Sequence, residues 1–261
     1  MTPHPPIRRG ITPPATLALL AALAVAPAVA APARSLLPDT ARVVLADGTP
    51  AFVVWPAGKK PVPAVVVAHE WWGLNAQIRS VARRLADQGY AAIVPDLYRG
   101  RVADDAERAH ELSRGVDTDS AVVTLALAAR HMRAEPRVAK QRIATLGFCM
   151  GGGLAERWAL RDSTLAAAVI FYGPPDLDGT DLARRRVPLQ AHFGADDEGI
   201  PPPRVNALRE GLSRVGAPSA VYVYTGAGHA FMNDTRPSYR PDQARQAWAR
   251  TLAFLEQHLK R

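Results

Sequence analysis

Short apolar runs alternate with segments of helical periodicity from about residue 40 to the end of the chain. The run at residues 64–68, AVVVA, is continuously apolar, as in a strand that is covered on both faces. At residues 77–88 the apolar positions are three and four apart, which predicts a helix that ends at Gly89. Repetition of this strand and helix pair predicts a mostly parallel sheet with helices on both faces.

The same pattern continues along the chain. It predicts further strands at residues 90–95, 142–147, 165–172, 189–193 and 220–224, and further helices at about 117–134, 151–160, 204–215 and 241–259. Two β-branched runs within residues 41–55 are separated by Asp47-Gly48, which predicts an antiparallel hairpin at the start of the domain. No linker divides residues 31–261, so we expect one domain there.

Composition narrows the class of protein. Of 261 residues, 48% are hydrophobic and 21% are charged, which is enough apolar material for a packed core and excludes disorder. Glycine and proline follow no period, which excludes collagen, and no unit of 20 to 50 residues repeats, which excludes a solenoid. No Cys/His cluster has metal-ligand spacing, which excludes a zinc module. The net charge is +8, but basic and acidic residues are interleaved, so we expect no nucleic-acid partner.

The first 30 residues have the pattern of a signal peptide. Arg8 and Arg9 precede the apolar stretch 15–30, which ends in small residues and predicts cleavage near Ala30 or Ala31. A membrane anchor is the alternative, but Pro27 interrupts the stretch, which is shorter than the roughly 20 residues of a span. We therefore expect a secreted or periplasmic protein without stable membrane association, and the export route stays open.

Cys149 is the single cysteine, which excludes an intrachain disulfide. It lies between a predicted strand and a predicted helix, and this position suggests a nucleophile. Its surroundings read Gly147-Phe-Cys-Met-Gly151, the spacing of a nucleophile elbow with sulfur in place of a hydroxyl. A helix N-terminus favours the reactive thiolate. The alternative is a small buried core residue, but the strand-to-helix turn favours the nucleophile.

A cysteine nucleophile needs a base and an acid that orients the base, and in this topology both follow it in the chain. His229 follows the strand predicted at 220–224, within Gly226-Ala-Gly-His, and is the candidate base. Asp196, Asp197 and Glu198 follow the strand predicted at 189–193. Spacing does not choose among these three acids.

The loop after the first buried strand reads His69-Glu-Trp-Trp-Gly-Leu-Asn75. This loop position normally donates one backbone N–H to an oxyanion hole, and the residue after the nucleophile donates the other. We therefore assign these donors to Trp71 and Met150. The carboxylate of Glu70 beside the hole would oppose an oxyanion, so Glu70 needs a partner or a function.

Five motifs in this order resemble the dienelactone hydrolase family of α/β-hydrolases: HEWWGLN, VPDLYRG, GFCMGGG, FGADDEGIP and GAGHAF, which begin at residues 69, 94, 147, 193 and 226. The resemblance implies an α/β-hydrolase fold and hydrolysis of a small lactone or activated ester through a thioester. It implies a Cys149-Asp197-His229 triad, since Ile200 and Pro201 complete the family's pattern around Asp197. It also implies that Glu70 takes the thiol proton when substrate displaces it, and that no metal or organic cofactor takes part.

One position departs from the family. Its prototype carries an arginine four residues after the catalytic histidine to bind the substrate carboxylate, and this chain has Asn233 there. Arg99, Arg101, Arg236 and Arg240 are candidate replacements or solvated surface charges. Trp71 and Trp72 are candidates to line the acyl pocket, with packing as the alternative for Trp72 and for Tyr98. Asn233 itself is also a candidate to contact substrate. We expect a monomer.

Two other functions stay open. One is a general carboxylesterase or thioesterase of the same fold. The other is a non-catalytic binding protein or thiol sensor that uses Cys149, which is disfavoured because a sensor needs neither Asp197 nor His229.

Overall fold

The computed structural model describes residues 39–58, 60–175, 186–214 and 218–260, together with residues 1 and 4. Contacts divide the chain into a unit of residues 1–35 and a compact unit of residues 36–261. The signal peptide predicted at residues 1–30 lies outside the described residues except for residues 1 and 4. All helices and strands that the structure describes belong to the second unit.

Eight strands form one sheet in the described part of the chain. They are β1 (Asp39–Val44), β2 (Pro50–Trp55), β3 (Val62–Ala68), β4 (Ala91–Pro95), β5 (Val138–Phe148), β6 (Ala167–Phe171), β7 (Leu189–Gly194) and β8 (Ser219–Tyr224). Their order across the sheet is β1-β2-β4-β3-β5-β6-β7-β8. β2 is antiparallel to both β1 and β4, and all other neighbouring strands are parallel. The mostly parallel sheet and its antiparallel N-terminal hairpin are as predicted.

The hairpin between β1 and β2 turns at Asp47-Gly48. Gly48 has φ +78°, a conformation that glycine adopts without steric cost. Asp47 Oδ1 accepts the N–H of Thr49 at 2.9 Å, and Leu45 N–H donates to the carbonyl of Thr49 at 2.8 Å. The local sequence therefore determines both the turn and the pairing of the two strands.

Six helices connect or follow the strands in the described residues. They are α1 (Ala76–Asp87), α2 (Ala106–Arg114), α3 (Thr118–Ala134), α4 (Met150–Arg161), α5 (Pro202–Ser213) and α6 (Pro241–Leu259). Asn75 and Asp117 cap α1 and α3, each accepting a backbone N–H three residues further on. α2 was not predicted from the sequence.

Apolar layers cover both faces of the sheet, as the continuous apolar strands predict. Val65 and Val67 pack in one layer with side chains of α1 and α6, including Ile78 and Leu255. Val66 points into the opposite layer, which α3, α4 and α5 complete. Each fully buried valine contributes about 1.5–3 kcal/mol, so β3 is anchored from both sides.

The loops at the carboxyl ends of the parallel strands lie at one edge of the sheet, where open α/β sheets bind ligands. β5 lies at the centre, between β3 and β6. No helix among the described residues is both long and apolar enough to cross a membrane.

Candidate active site

Cys149 occupies a strained turn between β5 and α4. Its backbone φ is +53°, a value that residues other than glycine rarely adopt. Its N–H donates to the carbonyl of Phe171 at 3.0 Å, and its own carbonyl accepts the N–H of Gly152 at 2.9 Å. These bonds hold the half-buried thiol at the N-terminus of α4.

Glycines on either side of Cys149 permit the turn. A Cβ on Gly147 would lie 2.0 Å from the carbonyl oxygen of Gly151, and a Cβ on Gly151 would lie 2.3 Å from the carbonyl oxygen of Ala68. Real Cβ atoms do not approach backbone so closely. The two glycines therefore let the start of α4 contact the end of β3, which places the loop after β3 beside the thiol.

His229 lies between Cys149 and Asp197. Its Nε2 is 3.1 Å from Cys149 Sγ, and its Nδ1 is 2.8 Å from Asp197 Oδ2. The loops after β7 and β8 meet because Gly194 has no side chain: a Cβ there would lie 2.2 Å from the carbonyl oxygen of Ala227. Three groups from separate parts of the chain thus meet at one point.

Asp197, rather than either acidic neighbour, contacts the imidazole. The Asp197 side chain is fully buried, and its Oδ1 accepts the N–H groups of Gly199 at 2.9 Å and Ile200 at 3.2 Å. Asp196 and Glu198 are exposed. The choice that spacing left open is therefore made by which side chain of the loop turns inward.

The surroundings of His229 favour its protonated form. Burial alone would lower the pKa of the imidazole, but the hydrogen bonds and charges of Asp197 and Cys149 outweigh burial and raise the pKa to about 10. A protonated ring donates from both nitrogens, toward the carboxylate and toward the sulfur.

Glu70 lies behind this group and is 2% exposed. Its Oε1 accepts the hydroxyl of Tyr172 at 2.9 Å, and its Oε2 accepts the amide of Asn233 at 2.7 Å. Burial raises the pKa of the Glu70 carboxyl, against the lowering effect of these two hydrogen bonds and of the positive charges of His229 and Arg236. Tyr172, which no motif had singled out, is thus one of the two partners that Glu70 required.

A pocket of about 470 Å³ opens over the thiol. It is lined by Trp71, Cys149, Asp196, Asp197, Glu198, Gly199 and His229. The N–H of Trp71 donates to no described residue, and the N–H of Met150, the first residue of α4, has no partner within the helix. Both N–H groups assigned to an oxyanion hole are therefore available beside Cys149.

The residues considered for substrate binding are spread over several places. Tyr98 is buried and donates its hydroxyl to the carbonyl of Trp71 at 3.0 Å. Trp72 is buried under the guanidinium of Arg236, which lies 3.5 Å from the ring centroid. Arg99 lines a different groove, and Arg101 donates to the carbonyl of Tyr98.

The other two candidates have backbone or buried partners. Arg240 donates to the carbonyls of Gly226, Pro237 and Tyr239. Asn233 is fully buried against Glu70. Of the residues predicted to bind substrate or to line its pocket, Trp71 lines the pocket over Cys149 in the part of the chain that the structure describes, and the others do not.

Comparison with known proteins identifies the family. The model of the dienelactone hydrolase family matches residues 49–259. A Yersinia pestis protein provisionally named a carboxymethylenebutenolidase is 33% identical over 231 residues, which cover 81% of this chain and 85% of that protein. An Escherichia coli protein with the same provisional name is 33% identical over 81% of this chain and 83% of its own length.

Solved structures with a similar fold indicate the same family. The crystal structure of a provisionally assigned dienelactone hydrolase from Klebsiella pneumoniae superposes with a TM-score of 0.77 at 29% identity, covering 84% of this chain and 99% of that one. A dienelactone hydrolase-like promiscuous phosphotriesterase from metagenomic libraries gives 0.76 at 27% identity, covering 85% and 99%. With its eight-stranded sheet, the chain belongs to the dienelactone hydrolase family of α/β-hydrolases and is a hydrolase.

Proposed function

We propose that the protein hydrolyses a small lactone or activated ester through a thioester on Cys149. The observation that carries the proposal is the chain of contacts from Cys149 Sγ through His229 to the buried Asp197 carboxylate. A thiol, an imidazole and an orienting carboxylate in contact are the requirements of nucleophilic acyl transfer.

In the proposed first step, the Cys149 thiolate attacks the substrate carbonyl while His229 holds the proton taken from the thiol. The new S–C bond converts the carbonyl oxygen into an oxyanion, which accepts hydrogen bonds from the N–H groups of Trp71 and Met150. The C–O bond then breaks, and His229 returns the proton to the departing alcohol or enol. Asp197 keeps Nδ1 protonated and the ring aimed at the sulfur throughout.

In the second step, neutral His229 removes a proton from water, and the hydroxide attacks the thioester. The acid product leaves and the thiolate is restored. None of these steps needs a group beyond substrate and water.

Glu70 has two possible contributions in this scheme. Its charge stabilises the protonated ring of His229, and the family resemblance implies that it also accepts the thiol proton. The second contribution requires Glu70 to leave Tyr172 and Asn233, because both of its oxygens are engaged there. In the arrangement described here, His229 is the group in contact with the sulfur.

The experiment compares wild type with Cys149→Ala on p-nitrophenyl acetate, a dienelactone and a thioester. A phosphotriester joins the panel because one structural relative is named for that activity. Wild type should hydrolyse at least one carboxylic substrate, and Cys149→Ala should be slower by a factor of about 10³ or more. Intact-mass spectra after rapid acid quenching should show an acyl group on wild type only.

Two results would overturn the proposal. A Cys149→Ala variant as active as wild type would remove the thiol from the reaction. If both proteins were inert on the whole panel, a binding protein or thiol sensor would be the better interpretation. Preference for the thioester over the lactone would instead favour the thioesterase alternative within the same chemistry.

We further propose that residues 1–30 direct export and are removed. The basic start and the apolar stretch of the sequence support this. Expression of the full chain in a bacterium, followed by fractionation and intact-mass measurement, should find a protein in the periplasm or medium that begins near residue 31. Uncleaved protein confined to the cytoplasm would contradict it.

A further inference from the structure

The side chain of His69 takes part in none of the steps above, yet it is fully buried one residue before Glu70. Its Nε2 lies 3.2 Å from the backbone nitrogen of Leu97, and its Nδ1 lies 2.6 Å from the carbonyl oxygen of Glu70. A backbone N–H can only donate and a carbonyl oxygen can only accept. The two partners therefore specify one neutral tautomer, with the proton on Nδ1.

The carbonyl that His69 binds belongs to the same peptide unit as the N–H of Trp71. A trans peptide is planar, and its C=O and N–H point in opposite directions. The N–H of Gly73 donates to the same carbonyl oxygen at 3.0 Å. Two donors on one side of the peptide thus fix the direction of the N–H on the other side, and that N–H belongs to a residue of the pocket over Cys149.

The neighbouring loop holds His69 in turn. Asp96 accepts the N–H of Gly100 at 2.7 Å and that of Tyr98 at 3.2 Å, which shapes the backbone around Leu97. Burial lowers the pKa of the His69 imidazole, so the ring stays neutral and its Nε2 stays free to accept. The loop after β4 therefore selects the tautomer, and the tautomer orients the peptide.

We propose that His69 is a positioning residue that aims the N–H of Trp71 at the oxyanion. The inference rests on the proposed function, because an oxyanion forms only if the protein performs acyl transfer. An oxyanion-hole donor is effective when it is already oriented before charge develops, and loss of one donor lowers kcat by roughly 10²–10³. A Trp71 N–H that points away from the oxyanion should also lower kcat, but by less than complete loss of the donor.

Two variants test the two hydrogen bonds of His69 one at a time, because each variant keeps one bond and loses the other. In His69→Asn the amide nitrogen can occupy the place of Nδ1, so donation to Glu70 is kept and the bond from Leu97 is lost. In His69→Gln the amide reaches the place of Nε2, so the bond from Leu97 is kept and donation to Glu70 is lost. The two amides are otherwise alike in polarity and lack of charge.

The measurement is kcat and KM for the best substrate of the panel, together with the rate of alkylation of Cys149 by iodoacetamide. Alkylation displaces iodide from carbon and forms no oxyanion, so it reports on the thiol and His229 alone. We expect His69→Gln to lose roughly ten- to a hundred-fold in kcat, with KM and alkylation near wild type. His69→Asn should keep about the wild-type kcat.

The inference is overturned if the two variants have the same kcat, or if alkylation falls together with kcat. If His69→Gln does not fold, His69→Ala takes its place, since it lacks both bonds but fits the space, and equality of His69→Ala with His69→Asn overturns the inference. If instead the proposed function is wrong, Cys149 takes no part in hydrolysis. Wild type alkylated at Cys149 would then retain its esterase activity, which distinguishes the two failures.

Discussion

Asn233 Nδ2 donates a 2.7 Å hydrogen bond to Glu70 Oε2, so a neutral amide holds the buried carboxylate of the site. Thr235 donates to Asn233 Oδ1 through both its N–H and its hydroxyl, which leaves the amide nitrogen facing Glu70. The family prototype has an arginine at this position, and an amide cannot form the bidentate pair that a guanidinium forms with a carboxylate. Burial raises the pKa of the Glu70 carboxyl, and after the hydrogen bonds of Asn233 and Tyr172 the positive charges of His229 and Arg236 lower it.

Replacement of Glu70 by Gln should lower kcat/KM about ten-fold or more. The shape of the side chain is kept, but the negative charge near His229 is lost, and about 1.4 kcal/mol less stabilisation of the charged ring in the transition state is a ten-fold loss in rate. The matched control is Glu198→Gln, which removes an exposed carboxylate from the rim of the same pocket. Steady-state kinetics check this, and equal effects of the two substitutions would reduce Glu70 to a structural role.

Asp197→Asn should lower kcat by a factor of about 10² or more, while Asp196→Asn should leave it near wild type. Of the two acids, Asp197 contacts His229 Nδ1, and an amide there no longer stabilises the charged ring or its tautomer. Kinetics of both variants at neutral pH provide the measurement. A larger loss in the Asp196 variant would show that the wrong acid had been assigned to the imidazole.

The contribution of His229 to stability should disappear in alkali. Its pKa in the folded chain is about 10, above the ordinary value of 6.5, because the interactions with Asp197 and Cys149 outweigh burial. A raised pKa stabilises the fold fully below about pH 6.5, and the stabilisation is lost as pH rises to about 10. The difference in free energy of unfolding between wild type and His229→Gln should therefore be larger at about pH 6 than at about pH 10.5.

Urea denaturation of both proteins at the two pH values measures this difference, and effects of titrating groups that do not interact with His229 cancel in the comparison. The same difference at both pH values would mean that the imidazole is not held protonated by its neighbours.

Gly151→Ala should destabilise the protein strongly, and Gly153→Ala should be tolerated. The first methyl would meet the carbonyl oxygen of Ala68 at 2.3 Å, whereas the nearest described atom to the second would be a side-chain carbon of Pro174, at 3.4 Å. Both residues lie in α4, where alanine is otherwise preferred to glycine by up to about 1 kcal/mol. Thermal unfolding and soluble yield of the two variants give the answer. Comparable stability would show that the contact between α4 and β3 can relax.

Much of the fold could be predicted from local pattern. Continuous apolar strands, helices that end at glycine and the Asp47-Gly48 turn each have a local physical cause, and the predicted sheet and hairpin are confirmed. The helix α2 was missed because it is short and buries only Ala109 and Leu112, which is too little to produce a clear period. Strand β5 begins at Val138, earlier than predicted. The apolar pattern missed this start because the first half of the strand is largely polar.

The site was less accessible to sequence reasoning. The motifs indicated Cys149 and His229, but the choice of Asp197 depended on family resemblance, because adjacent residues of a loop differ only in the direction they face. The partners of Glu70 are 102 and 163 residues away along the chain, so no spacing could reveal Tyr172 or Asn233 as its partners. The bonds of His69 depend on a loop 28 residues further on.

The reacting groups lie at the ends of strands, on backbone that the close packing of glycines holds in place. Much of the pocket wall, by contrast, comes from the loop between β7 and α5. Loop segments tolerate insertion and exchange far better than the sheet that carries them. Substrate preference in such a scaffold can therefore drift during evolution by remodelling the wall, while the bond-making apparatus stays unchanged.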